Sequence, residues 1–140
     1  MPFNLLDWRW DAVVPEILAA KASRSMTVHV RSALLQGLLP SLDEELWRRA
    51  NVASSAPIIH WLLGQVERCQ RKSVTDLCLS YVRALGWVDG IATGMENMAQ
   101  LLDNIKLFNL STLTDDQVMD IQKTRPKLSE AALNPALWRK

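Results

Sequence analysis

The segment Ser73–Gly86 constrains the fold most. Val74, Leu77, Cys78, Tyr81, Val82 and Leu85 recur at steps of three and four, the spacing of one face of an α-helix. Ser73 and Asp76 stand where an N-cap and its first-turn acid belong, and Gly86 stands at a natural C-terminal stop. The same pattern recurs along most of the chain. Ile59, Leu62, Leu63, Val66 and Cys69 form a second stripe, with Ser54, Ser55 and Pro57 ahead of it. Ser41 with Glu44 reads as a capping box opening LDEELWRRAN, where Glu44–Arg48 and Glu45–Arg49 are helix-stabilising pairs. Thr114 and Gln117 introduce Val118 and Ile121, and Pro126 ends that segment; Ser129 starts a last turn.

The remaining helices are expected in weaker segments. Asn4, with Asp7, caps a first helix, which Pro15 kinks or restarts on the way to Ser23. Ser25 opens another helix to about Gly37, ended by Pro40, and a longer one after Gly86 turns Ile91, Met95, Met98, Leu102 and Ile105 inward. No stretch alternates with period two, and Val28-His29-Val30 is too short to count as a strand. The expectation is an all-α fold: a compact single-domain bundle of seven to eight short helices over residues 1–140. A candidate internal boundary falls at Gln70-Arg71-Lys72-Ser73.

Composition narrows the function classes. With 49% apolar and 22% charged residues and a net charge of +1, the chain is not disordered, fibrous or a disulfide scaffold. Cys69 and Cys78 lie in apolar segments, which reads as buried free thiols in a reducing compartment. The start MPFNLLDWRW lacks the basic flank and apolar run of a signal peptide, and Asn51–Val66 is too short and too polar to span a bilayer. These features lead to an expected cytoplasmic, intracellular location without membrane attachment.

Few residues carry recognisable chemistry. His29 and His60 are far apart, and the spacing of Cys69 and Cys78 fits no zinc pattern, so no metal site is expected. There is no Gly-x-Ser-x-Gly elbow and no glycine-rich phosphate loop, which leaves no catalytic or cofactor-binding residue to name. Asp115, Asp116 and Asp120 suit a helix first turn, where the dipole favours acids. As a helix-turn-helix reader, VDGIATGMENM has no Arg or Lys and would repel phosphate. A nucleic-acid alternative would use Arg48, Arg49, Arg68, Arg71 and Lys72.

Six of the nine aromatic residues are tryptophan. Trp47, Trp61 and Trp87 fit a helical core, and Trp10 shares a stripe with Leu6, Val13 and Ile17. Trp8 and Trp138 fit no stripe. They read either as anchors for a partner or as two side chains docked onto each other, joining the termini. Gly90 and Gly94, four apart, would share a helix face and admit a close backbone crossing or a self-association contact.

The runs LLPSLDEELWRRAN, APIIHWLLGQVERC and ALGWVDGIATGM resemble the middle helices of caspase-recruitment domains, in which a Gly-Trp opens the last of the three. The resemblance spans about half the chain and implies homotypic assembly through charged faces. The leading expectation is a non-enzymatic protein-binding protein: an adaptor, an assembly or secretion chaperone, or an inhibitor. A homodimer through the glycine face and the Met95/Met98 helix is a side expectation.

Overall fold

The computed structural model describes residues 1–139, and the fold is built around the segment with the strongest periodicity. In chain order the helices are α1 (Val14–Ser23), α2 (Glu44–Arg49), α3 (Ala56–Arg68), α4 (Val74–Ala84), α5 (Met98–Phe108), α6 (Asp115–Thr124) and α7 (Glu130–Leu133). Two strands, β1 (His29–Arg31) and β2 (Gly90–Ala92), accompany them, with short 3-10 turns at Trp8–Trp10 and Pro135–Leu137. Helix accounts for 51% of the chain and strand for 5%, so the all-α reading holds as a description of the bulk.

Helix α4 packs against α3, α5, α6 and β2. Its residues Asp76 through Val82 are all buried, so the apolar stripe marks its most hydrophobic side without marking a solvent side. The Ser73 hydroxyl accepts the Asp76 backbone N–H at 3.1 Å, as the cap pattern anticipates. Thr114 and Gln117 form a reciprocal capping box at the start of α6. The core around α4 includes Leu5, Leu6, Leu38, Trp47, Tyr81 and Ile121, each essentially inaccessible.

Three sequence expectations give way here. The segment Val28–Val30 contributes to β1, which pairs in parallel with β2 in the register His29↔Gly90, Val30↔Ile91 and Arg31↔Ala92. Residues at the start of the chain extend this sheet, since Phe3 N–H donates to the Arg31 carbonyl and Arg31 N–H to the Met1 carbonyl, both at 2.9 Å. The expected helix from Ser25 to Gly37 is therefore replaced by β1 and a turn with positive φ at Ser32, Leu35, Gln36 and Gly37. The helix expected directly after Gly86 starts only at Met98, because the Asp89 carboxylate takes the Val28 N–H at 2.7 Å and the Lys21 ammonium, which draws the following residues into β2. Alone among these short runs, the partners for β1 and β2 lie about sixty residues apart, a pairing invisible to local periodicity.

Parallel strands need crossover connections, and here helices supply them: α1 leads into β1, and α2, α3 and α4 lead into β2. Gly86-Trp87 runs from α4 toward β2 and opens no helix, in contrast to the caspase-recruitment pattern.

Candidate functional site

The carboxyl ends of β1 and β2 open into a cleft of about 1000 Å³. In parallel α/β arrangements this end is where ligands bind, because loops and helix N-termini converge there. Four pieces of chain build it. The end of β1 and its turn give Arg31 and Ser32; the approach to α4 gives Lys72 and Ser73; the loop after β2 gives Thr93 and Gly94; and α5 forms the remaining wall. The N-termini of α4 and α5 both border the cleft, and each helix contributes partial positive charge at that end.

Arg31, Lys72 and Lys106 line the cleft together with the carboxylates Glu96 and Asp103. Lys106 is engaged by Asp103 at 2.9 Å on the same helix. Arg31 makes a long contact of 3.4 Å to the Ser32 hydroxyl, and neither Arg31 nor Lys72 has a carboxylate partner among the described residues. Lys72 is fixed through its backbone, whose N–H donates to Asp76 Oδ2 at 2.9 Å. The same carboxylate holds Arg71 at 3.1 Å, and Arg71 also reaches the Ser111 carbonyl at 2.7 Å. Asp76 thus anchors Arg71 inward while leaving the neighbouring Lys72 to the cleft.

The turn after β1 carries backbone strain at the cleft wall. Ser32, Leu35 and Gln36 are non-glycine residues with φ of 66°, 48° and 55°. Such positions cost on the order of 1 kcal/mol each and persist where the surroundings hold them, which is common at ligand sites. Leu35, at 1% exposure, is the anchor that holds this turn.

The tryptophans singled out in the sequence are engaged inside the fold. Trp8 donates its indole N–H to the Leu128 carbonyl at 2.8 Å, with Lys127 Nζ 4.3 Å from the ring centre. Trp138 donates to the Ala132 carbonyl at 3.0 Å. Both ends of the chain are therefore fastened to the segment around α7, rather than indole to indole. Trp47 and Trp87 are buried as expected, and Trp61 is half-buried with a 3.3 Å contact to Thr124.

The glycine pair and the basic set disperse. Gly90 lies in β2 and Gly94 in the loop beyond it, so the expected shared helix face does not form. Arg48 pairs with Glu45, Arg49 reaches the Arg139 carbonyl, Arg68 pairs with Asp120 at 3.2 Å, and Arg71 is buried against Asp76. These four make no common basic surface with Lys72, the member of the set that lines the cleft. Sequence reasoning missed Arg31, the strained turn and the loop Thr93–Glu96. The available signal was QGLLP after a short β-branched run, a turn at a strand end.

Tyr81 and His29 stand apart from the cleft, whose titratable lining is Lys72, Glu96, Asp103 and Lys106. Tyr81 is fully buried, and burial raises its hydroxyl above the ordinary tyrosine value. Burial also raises the Cys78 thiol well above the thiol range, which keeps it protonated and unreactive. His29 occupies the amino-terminal end of β1, away from the strand ends that open the cleft.

No protein-family model matches the sequence, and no curated protein matches it. Among solved structures, the chain is similar to aldo-keto reductase AKR11C1 from Bacillus halodurans. Its apo form matches with a TM-score of 0.63 at 20% identity, and its holo form with 0.66 at 19%. Each match covers 91% of this chain but 43% of the reductase, so the present chain spans less than half the length of that protein. At such identity the likeness shows a common fold: the arrangement of parallel strands and helices described above is also found within a reductase.

Proposed function

We propose that the chain is a ligand-binding unit of a reductase-like α/β protein, and that its cleft takes a phosphate-bearing anion of the nucleotide class. One observation carries this reading: two adjacent parallel strands end at a cleft bordered by two helix N-termini, with Arg31 and Lys72 uncommitted to any carboxylate among the described residues. The fold of a reductase known in apo and holo forms supports a cofactor as the kind of ligand. A cleft of about 1000 Å³ has room for a dinucleotide-sized molecule.

On the binding side the basic lining residues outnumber the carboxylates Glu96 and Asp103 by one, and Asp103 is paired with Lys106. Arg31 and Lys72 would neutralise phosphate charge, while Ser32, Thr93 and Gln100 line the walls with hydrogen-bonding groups. When bound, a redox cofactor would supply the electron-transfer chemistry. This chain's own part is to hold and orient the anion and to exclude water around it. Proton transfer would need groups other than Tyr81 and His29, neither of which lines the cleft.

Isothermal titration with ADP and with inorganic pyrophosphate tests the proposal. Binding that weakens about tenfold or more in both Arg31→Glu and Lys72→Glu supports it; this factor corresponds to about 1.4 kcal/mol for each charge contact. Absence of heat with either ligand at millimolar concentration removes it.

The sequence-derived alternative, a protein-binding adaptor, chaperone or inhibitor, retains one surface. Trp8 and Trp138 are held inside the fold, whereas α5 presents apolar residues outward.

A further inference from the structure

Helix α5 is fastened at one end. Leu107 and Phe108, in its last turn, pack against the buried core. Arg83 on α4 clamps the same end. Its guanidinium donates to the Leu107 carbonyl at 3.3 Å and to the Leu110 carbonyl at 3.1 Å, and it lies 5.3 Å from the centre of the Phe108 ring. Carbonyls at a helix C-terminus carry partial negative charge, so a cation from a neighbouring helix both pairs with them and anchors them.

The opposite end has no such hold. Residues 94–100, which take in the loop after β2 and the first turn of α5, are exposed without a break. The hydrogen bonds there close within the segment: Asn97 Oδ1 accepts the Gln100 N–H at 2.9 Å, and Gln100 Oε1 accepts the Glu96 N–H at 2.8 Å. Bonds of this kind keep the turn helical without fixing it to the body. The outer row of α5, Met98, Leu102 and Ile105, is 67%, 51% and 49% exposed and adds no anchor. Segments with few buried contacts open first, and the lids of binding sites are drawn from them.

The cleft side of α5 is mainly polar. Gln100, Asp103, Asn104 and Leu107 lie at steps of three and four and line the cleft, with Leu107 at the fastened end. We infer that α5 is a lid: it pivots about the Arg83 clamp, and its N-terminal end closes over a ligand held at Arg31 and Lys72. This rests on the anion reading above. Glu96 and Asp103 travel with the lid, while Arg31 and Lys72 belong to the body. A carboxylate repels phosphate and accepts from hydroxyls, so the lid closes on the sugar of a nucleotide and leaves the phosphates to the body.

Amide exchange of the full 140-residue chain is the test, with ADP and inorganic pyrophosphate as probes. In the free chain, residues 102–105 should exchange about tenfold or more faster than residues 106–109, although both groups lie in or directly after the same helix. Saturating ADP should slow residues 102–105 by about tenfold, and pyrophosphate by less than about twofold. Arg83→Ala, with circular dichroism unchanged, should bring residues 106–109 to the rate of residues 102–105. The wild-type measurements stand whether or not that variant folds. Uniform exchange along α5 in the free chain overturns the inference and leaves the anion reading untouched. ADP binding by titration that leaves α5 unaltered, or pyrophosphate slowing α5 as much as ADP does, overturns it in the same way. No heat with either probe removes the anion reading and the closure with it.

Discussion

The imidazole of His29 lies against the bare backbone of Gly90, its register partner across the parallel pair. A Cβ built on Gly90 would stand 2.9 Å from His29 Cδ2 and 3.1 Å from Nε2. The helix-face crossing expected of Gly90 and Gly94 is absent, and what approaches Gly90 is a side chain of the neighbouring strand. Gly90→Ala should cost about 1 kcal/mol, because an exposed ring can swing aside at some loss of contact. In a His29→Ala background the same change should become neutral or stabilising, since alanine restricts the unfolded chain more than glycine does. Gly94→Ala, with open space around the new methyl, should stay within about 0.5 kcal/mol. Urea denaturation of the four variants checks the set, and equal effects in both histidine backgrounds would count against the contact.

Trp138→Phe keeps most of the ring and removes the donor to the Ala132 carbonyl, so the expected loss is about 1 kcal/mol. Trp8→Ala should cost more, roughly 2–3 kcal/mol, since it also removes packing and the Lys127 contact. Thermal unfolding measures both. Unchanged stability in both variants would show that the two indoles are free for a partner after all.

Asp76 and Arg71 form the most sheltered ion pair among the described residues, with side chains 1% and 8% exposed. Asp76 also accepts the Lys72 N–H and the Ser80 hydroxyl, so its removal leaves several donors unsatisfied. Asp76→Ala should destabilise by about 3–5 kcal/mol. It should also weaken anion binding, because the Lys72 backbone loses its tether. Retention of full binding in a folded variant would separate Lys72 from this support.

The Asp89 carboxylate is held below its ordinary value, chiefly by the Lys21 ammonium and then by the Val28 N–H. A carboxyl with a lowered folded value stabilises the fold above the ordinary carboxylate range, and loses that contribution as pH falls through the lowered value. Stability of the wild type should therefore exceed that of Asp89→Asn at neutral pH, and the gap should close below about pH 4. Guanidine titrations at pH 7 and pH 3 read this directly; a gap that is constant with pH would exclude the ion pair as its source.

How much of this was legible beforehand depended on the range of each interaction. Ser73, Thr114 and Ser129 cap helices where the sequence placed caps, because a cap and its target N–H lie within three residues of each other. At the start of α2 the cap is Asp43 rather than Ser41, a local shift that leaves the helix in place. Strand β1 leaves no local signal because three residues carry no periodicity, and its partner is set by Asp89 reaching back to Val28 and Lys21. The row Met98, Leu102 and Ile105, inward by its pattern, faces outward for a related reason. Periodicity reports that a helix has an apolar face, while the neighbour on that face is decided by topology. The cleft shares this origin, since Arg31 and Lys72 meet only through the parallel pairing and the placement of α4.

Helix α4 bears on how this sequence can vary. Seven successive residues, Asp76 to Val82, are enclosed, including a carboxylate, a thiol and a hydroxyl. Most helices would tolerate a polar replacement at every third or fourth position, and a full substitution scan would show that rhythm. Along α4 the rhythm should vanish into an unbroken block of intolerance. Variants of this chain that remain folded should diverge first in α1 and along the outer row of α5, while α4 stays nearly fixed.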